Sequence, residues 1–141
     1  IRLDEYVRTG INVDALLTSQ LLINIFEHNT PLHDGAVIVR GNRVVAATCY
    51  LPLSDNMELS KQLGTRHRAG VGISEATDSV TIIVSEETGQ VSVAQGGELS
   101  RGLNSKQLRE ILVAAQNKKV VDNSKLRNLL KGRVKHEEKS D

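Results

Sequence analysis

The sequence predicts an α/β domain in which helices flank a mixed central β-sheet. Some segments have apolar residues at the spacing of a helix face, and others are the β-branched apolar runs typical of strands. These segments alternate along the chain in the order helix, hairpin, helix, hairpin, helix. A chain of 141 residues with 39% hydrophobic content has the size of one domain and can build a core without disulfides. We therefore expect one domain over residues 1–134, followed by a charged tail over 135–141.

The first half of the chain is expected to form a long helix and a hairpin. From Asn12 to His28 the apolar residues recur every three or four positions, with Asn12 as N-cap, and Asn29-Thr30-Pro31 ends this helix. The runs Ala36–Arg40 and Arg43–Leu51 are β-branched and apolar, and Gly41-Asn42 between them suits a two-residue hairpin turn.

The second half is expected to continue with alternating helices and strands. The elements are a short helical piece over Glu58–Leu63, a helix from Arg66 to about Ala76 opened by Gly64-Thr65, a strand pair over Val80–Val84 and Gln90–Ala94, a helix beginning at Ser105, and an amphipathic segment with Leu126, Leu129 and Leu130.

Composition excludes several classes of protein. No apolar run approaches the roughly 20 residues that span a bilayer, and the first residues lack the order of a signal peptide. The net charge is +1, with 18 basic and 17 acidic residues, so the overall charge does not indicate a nucleic-acid polymer as partner. The single cysteine, Cys49, lies in an apolar run, which predicts a buried thiol in a reducing compartment.

Three polar loops next to apolar elements are candidates for the functional site. His33-Asp34-Gly35-Ala36 combines an imidazole and a carboxylate with a glycine, and it could equally be an ordinary turn. Gly64-Thr65-Arg66-His67-Arg68 places two guanidinium groups at a helix start, which suits phosphate, although such charges are often only solvated. Ser85-Glu86-Glu87-Thr88-Gly89 offers oxygen ligands for a hard cation or forms a polar turn. Tyr50 and Leu51 could pack on a purine or belong to the core.

Taken together, these motifs resemble the diadenylate cyclase domain of the membrane-bound CdaA (DacA) type of bacterial cyclic di-AMP synthase. The resemblance runs from about Asp4 to Gln116 and depends on Asp34-Gly35-Ala36 and Arg66-His67-Arg68 occurring together in the family's order. It implies an enzyme that condenses two ATP molecules into cyclic di-AMP and two pyrophosphates, with Mg²⁺ or Mn²⁺ as cofactor.

The resemblance also implies roles for individual residues. The implied catalytic residues are Asp34, Gly35, Ala36, Arg66, His67 and Arg68. The implied ATP-binding residues are Tyr50, Leu51, Gly64, Thr65, Arg66, His67, Arg68, Ser85 and Glu86. The implied metal ligands are His33, Asp34 and Glu87.

The same resemblance bears on the wider setting of the chain. Family domains of this type begin with a helix and an apolar strand before the segment that matches Leu3 to Gly10, and they follow transmembrane helices. This sequence contains none of these, so we expect a soluble cytoplasmic fragment of a protein that works at the cytosolic face of the bacterial membrane. A membrane-anchored regulator and a sugar-phosphate mutase are the partners that the family implies.

Two other hypotheses are weighed against the cyclase. A regulatory module would hold ATP or cyclic di-AMP in the same loops without turnover. A metal-dependent phosphohydrolase would use His33, Asp34 and Glu87 to bind a metal and activate water. The cyclase alone also predicts a homodimer, because each of two ATP molecules must attack the other and one chain carries one set of loops.

Overall fold

The chain folds into two small antiparallel sheets with helices packed on them. A computed structural model describes residues 3–59, 61 and 63–116. Its elements are α1 Asp4–Val7, β1 Ile11–Leu16, α2 Ser19–Ile25, β2 Ala36–Arg40, β3 Arg43–Cys49, α3 Thr65–Ala76, β4 Thr81–Val84, β5 Val91–Gln95, β6 Glu98–Leu103 and a helix over 105–116, here α4. The predicted α/β class is confirmed.

The strands do not share the single mixed sheet that was expected. One sheet has the order β1-β3-β2 and the other β4-β5-β6, and every pairing is antiparallel. The pairs β2–β3, β4–β5 and β5–β6 are hairpins with short turns, whereas β1 pairs with β3 across α2 and β2. The expected amphipathic segment at 126–130 and the tail at 135–141 lie outside the described residues.

The helix predicted over residues 12–28 is wrong in its first half, which is strand β1. The pattern was ambiguous, because the apolar residues also alternate at Val13, Ala15 and Leu17 as a strand requires. The N-cap is Thr18, whose hydroxyl accepts a hydrogen bond from the Leu21 amide at 3.0 Å, and not Asn12. The helix α2 then ends at Ile25, before Pro31 could act on it.

Other elements agree with the prediction more closely. The hairpin of β2 and β3, the strands β4 and β5 and the helix α3 are confirmed within one residue or two at each end. The helix starting at Ser105 is confirmed, and Asn104 and Gln107 cap it reciprocally at 2.8 and 2.9 Å. The short helix predicted over 58–63 is wrong, since the described residues there form turns and bends. Strand β6 was not predicted.

The core is divided in the same way as the sheets. Ile25, Val44 and Ala47 are buried between α2 and the first sheet, and Ile38, Ala46 and Cys49 are buried beneath α1 on its other face. Val71, Ile83 and Ala94 are buried between α3 and the second sheet. Burial of each valine or isoleucine contributes about 1.5–3 kcal/mol. The thiol of Cys49 is buried as predicted, and this burial raises its pKa.

Two glycines let α3 lie close to its neighbours. A Cβ on Gly72 would come within 1.9 Å of the Pro52 carbonyl oxygen, and one on Gly70 would lie 2.7 Å from the Ile83 side chain. The glycines therefore serve packing, although they lower intrinsic helix propensity. The segment after β3 is thereby held against the helix, and the Ser54 amide donates to the Arg68 carbonyl at 2.9 Å.

Candidate functional site

The Asp34-Gly35-Ala36 motif lies at the start of β2 and packs against a distorted part of β3. Ala36 pairs with Cys49, and the register shifts between Ala36 and Ile38. Gly35 has φ +116°, and a Cβ there would lie 2.7 Å from the Thr48 Cα. Thr48 itself has φ +55°, which is uncommon for a β-branched residue. This close approach requires glycine at position 35, and it fixes the backbone that carries Asp34.

His33 and Asp34 present their side chains differently. The His33 Nδ1 lies 2.7 Å from the Thr30 carbonyl oxygen, so Nδ1 carries the proton and Nε2 has the free lone pair. The ring also meets His28 edge-on, with 5.9 Å between centroids. The Asp34 carboxylate is exposed and makes no hydrogen bond or ion pair with any described residue. An unpaired carboxylate beside an imidazole lone pair is a donor set that fits a divalent metal.

Tyr50 and Leu51 directly follow β3, next to the Asp34 motif. The Tyr50 side chain is exposed, with a residue exposure of 74%, while Leu51 is half-buried. The Tyr50 amide donates to the Thr9 hydroxyl oxygen at 2.8 Å, and that hydroxyl donates to the Tyr6 carbonyl at 2.6 Å. An exposed aromatic ring on a backbone held in this way can stack on a flat apolar ligand.

The beginning of α3 is joined to the end of β4 through Arg66. One guanidinium nitrogen donates to the Val84 carbonyl oxygen at 2.7 Å, and the other lies 3.1 Å from the Glu86 carboxylate. The N-cap of α3 is Gly64, and no side chain there accepts a hydrogen bond from the first backbone amides of the helix. These amides are therefore available to a ligand. Thr65 begins the helix and is exposed. The ion pair with Glu86 is largely exposed and therefore weak, so a phosphate can compete for Arg66.

His67 is the half-buried member of the Arg66-His67-Arg68 motif. Burial lowers the pKa of His67, and the positive charges of Arg101 and Arg66 lower it further. The imidazole is therefore neutral at neutral pH until an anion approaches. Arg68 is also half-buried, and its carbonyl accepts the hydrogen bond from Ser54.

The turn at residues 85–89 is held by its own hydroxyl group. The Ser85 oxygen accepts from the amides of Glu87 and Thr88, each at 3.3 Å, and the Gly89 amide donates to the Ser85 carbonyl at 3.0 Å. Ser85 therefore has the local turn function that was weighed as the simpler interpretation. The side chain of Glu87 is exposed.

The fold links the predicted residues into two groups. The Asp34 motif and Tyr50 form one group at the first sheet, and the start of α3 and the turn at 85–89 form the other at the second. Residues 51–54 connect the groups through the Ser54 contact with Arg68. In the described part of the chain, no three His, Cys, Asp or Glu side chains converge to hold a metal, so Glu87 does not join His33 and Asp34.

Two residues of the site were missed by sequence reasoning. Thr9 holds the Tyr50 backbone, and Arg101 on β6 lies close enough to His67 to affect its pKa. The Thr9-Gly10 pair before β1 could have suggested a turn, but no pattern around Arg101 links it to α3. None of the helices formed by the described residues has the length and apolar character needed to cross a bilayer.

The fold and these motifs define a nucleotide-binding domain, and family comparison identifies which one. Residues 1–99 match the DAC family, described as DisA bacterial checkpoint controller nucleotide-binding, and the chain belongs to this family. The resemblance to diadenylate cyclase domains is thereby confirmed.

Curated relatives and solved structures agree with this assignment. The diadenylate cyclase of Listeria monocytogenes serotype 1/2a is 60% identical over 111 residues, which cover 79% of this chain and 41% of that protein. The cyclic di-AMP synthase CdaA of Bacillus subtilis is 57% identical over 129 residues, which cover 92% and 47%. The chain thus spans less than half the length of these relatives.

The fold is also found in a crystal structure of a double mutant of DacA from Staphylococcus aureus. The TM-score is 0.79 at 50% identity, over 82% of this chain and 77% of that one. A hypothetical membrane spanning protein from Bacillus cereus has a TM-score of 0.70 at 44% identity, over 74% and 51%.

Proposed function

We propose that this chain is the catalytic domain of a diadenylate cyclase, which joins two ATP molecules into cyclic di-AMP. The observation that carries the proposal is the link between the two groups of site residues. The Ser54 contact with Arg68 ties the exposed Tyr50 and Asp34 at one sheet to the cationic start of α3 at the other. One site can thus offer a stacking surface for adenine, a carboxylate near the ribose and cations for phosphate. The names of the relatives support the same reaction.

The proposed reaction is a nucleotidyl transfer at the α-phosphate. The 3′-hydroxyl oxygen of one ATP forms a bond to the α-phosphorus of the other, the bond from that phosphorus to the bridging oxygen breaks, and pyrophosphate leaves. The hydroxyl proton is released, and the second transfer closes the ring. Such reactions depend on positioning and on stabilising the charge that develops on phosphate.

Each group of residues has a distinct part in this proposal. Asp34 would orient the attacking hydroxyl, and its exposed carboxylate, unpaired within the described residues, supports this role. Arg66 would exchange its weak pair with Glu86 for phosphate oxygens, which arginine binds in bidentate fashion. His67, neutral in the free protein, would gain a proton as phosphate approaches. Gly64 and Thr65 would contribute open backbone amides.

A divalent cation fits beside the first group of residues. His33 Nε2 and the Asp34 carboxylate would hold it, with further ligands from the substrate phosphates, while Glu87 would have to act elsewhere. Bound Mg²⁺ or Mn²⁺ would supply charge neutralisation at the reacting phosphate.

The active species is proposed to be a homodimer. The exposed position of Asp34 and Tyr50 allows two sites to face each other, so that each ATP can attack its partner. As part of a longer protein, the domain would act at the cytosolic face of the membrane. A membrane-anchored regulator and a sugar-phosphate mutase remain predicted partners.

Product analysis tests the activity directly. The chain is incubated with ATP and Mn²⁺ or Mg²⁺, and the products are identified by mass spectrometry. A cyclic dinucleotide and pyrophosphate support the cyclase. Release of ADP or AMP would indicate a phosphohydrolase, and unchanged, bound ATP would indicate a regulatory module.

Replacement of Asp34 tests both its role and the dimer. Asp34→Asn keeps the shape but loses the charge, so we expect ATP to bind within a few fold while most turnover is lost. When this variant is mixed in excess with the parent chain, mixed dimers should depress the parent's activity. Asp55→Asn, at an exposed position outside the motifs, is the control and should not depress it. Full activity of Asp34→Asn would contradict the role of Asp34. Unchanged activity of the parent chain on mixing would contradict the dimer.

A further inference from the structure

Strand β6 carries Arg101 to the first turn of α3. The Gly97 amide at the start of β6 donates to the Ser74 hydroxyl at 3.0 Å, which fixes one end of the strand beside the C-terminal half of the helix. From Ser74 back to His67 the helix spans about 10 Å, and from Gly97 to Arg101 the strand spans about 13 Å. Strand β6 contacts α3, these lengths allow Arg101 to come near the first turn of the helix, and its charge acts on the His67 imidazole.

A β-bulge includes Arg101 on strand β6. The pairing of β5 with β6 shifts register between Val91 and Val93, opposite the stretch from Ser100 to Leu103. Gly102 in this stretch has φ +65°, a conformation that favours glycine. Bulges of this kind redirect side chains and are frequent next to functional sites. The lowered pKa of His67, which Arg101 helps to cause, agrees with a position beside the imidazole.

A groove between β6 and the segment before α3 is lined by residues of both charges. It has a volume of about 440 Å³, and its lining includes Glu58, Leu63, Glu98 and Arg101. Glu98 lies about 10 Å along β6 from Arg101. Glu58 donates its amide to the Asn56 side chain, and the Asn56 amide in turn donates to Ser54, whose hydroxyl contacts Glu75. The backbone of Glu58 is thus linked through Ser54 to Glu75 in the C-terminal half of α3.

The groove reaches the segment next to the start of α3. Leu63 immediately precedes Gly64, the N-cap of α3, and Leu63 and Arg101 line the same groove. Arg66 has Val84 and Glu86 as partners, whereas Arg101 makes no hydrogen bond or ion pair with the rest of the described chain. An exposed guanidinium group without a partner among the described residues, whose charge acts on His67 as that of Arg66 does, is suited to bind an anion.

We propose that Arg101 is an additional phosphate-binding residue, which holds the β- and γ-phosphates that leave as pyrophosphate. The assignment rests on the proposed function, because that function places adenine at Tyr50 on the first sheet and the phosphates at the start of α3. Arg101 approaches from the second sheet, so it meets the phosphates and not the base. Arg66 and His67 then hold the phosphate at which transfer occurs, and Arg101 binds the leaving group.

The test compares two nucleotides that differ in the distal phosphates. Binding of AMP and of α,β-methylene-ATP, which cannot release pyrophosphate, is measured by calorimetry with Mg²⁺ present. For Arg101→Gln we expect the methylene analogue to bind about tenfold more weakly and AMP to bind as before. Tenfold is the lower end for a charge-assisted contact, and we expect it because the Arg101 side chain is exposed. Arg101→Lys should recover part of the loss. Arg109→Gln, on the exposed side of α4, is the matched control.

A second measurement tests the placement alone. In Arg101→Gln the pKa of His67, followed by NMR, should rise, because one of the two positive charges near the imidazole has been removed. Equal weakening of AMP and the analogue, no weakening of either, or an unchanged His67 pKa would overturn the assignment. If the parent chain binds the analogue through Arg101 but makes no cyclic di-AMP from ATP, the proposed function fails and the Arg101 contact stands.

Discussion

Gly72→Ala tests the contact that joins the two groups of site residues. The new methyl group would lie 1.9 Å from the Pro52 carbonyl oxygen and 2.9 Å from the Ser54 amide nitrogen, so the segment must move away from α3. Overpacking of this kind costs about 1–3 kcal/mol. Movement would also break the Ser54 hydrogen bonds to Arg68 and Glu75, at about 0.5–1.5 kcal/mol each.

One term acts in the opposite direction. Alanine favours a helix over glycine by about 1 kcal/mol. The expected net loss in the free energy of unfolding is therefore about 3 kcal/mol, measured by urea denaturation of the parent and the variant.

Gly70→Ala is the matched control for this experiment. It adds a methyl group to the same helix and gains the same propensity, but the methyl group meets the flexible end of the Ile83 side chain and not a backbone carbonyl. We expect it to lose clearly less stability than Gly72→Ala. The KM for ATP should also rise in Gly72→Ala, because Tyr50 loses its connection to α3. Equal stability of Gly72→Ala and the parent would refute this account of the contact.

Three further predictions concern Thr9 and His67. Thr9→Val removes the hydroxyl that binds the Tyr50 amide, so the KM for ATP should rise severalfold with kcat nearly unchanged. Thr9→Ser keeps the hydroxyl and should behave as the parent. A change in kcat alone would contradict this role of Thr9. Because phosphate favours protonated His67, ATP binding at pH values above the lowered pKa of free His67 should take up protons, as measured at about pH 6.5 by calorimetry in buffers of different ionisation enthalpy, and His67→Gln should lose this uptake. The lowered His67 pKa should also make the free protein less stable as pH falls below 6.5, because the unfolded state then binds more protons; His67→Gln should remove this dependence.

The sequence was informative where local patterns determine structure. The hairpin at Gly41-Asn42, the helix α3 and the helix that begins at Ser105 follow from turn residues, periodicity and caps that act within a few positions. Strand β1 was misassigned because Val13, Leu16 and Leu17 have helical spacing while Val13, Ala15 and Leu17 alternate as in a strand. The choice is made by pairing with β3, a contact that local spacing does not specify.

The site was predictable in its motifs and not in its contacts. Asp34 and Arg66 could be identified because their motifs occur together in the order of a known family. Strand β6 could not, because its residues are mostly polar and exposed, and a strand at the edge of a sheet needs few apolar residues. The position of Arg101 beside His67 depends on that strand and on its bulge, so no sequence pattern reports it.

The separation into two sheets has a consequence for synthesis of the chain. By Cys49 the first sheet has all three strands and both of its helices, and its core can close on the emerging chain before α3 has left the ribosome. The second sheet is a meander of adjacent strands, so it forms by contacts that are short in sequence and fast to make. Folding can then finish with residues 51–54 docking on α3, which is also the step that joins the two groups of candidate site residues.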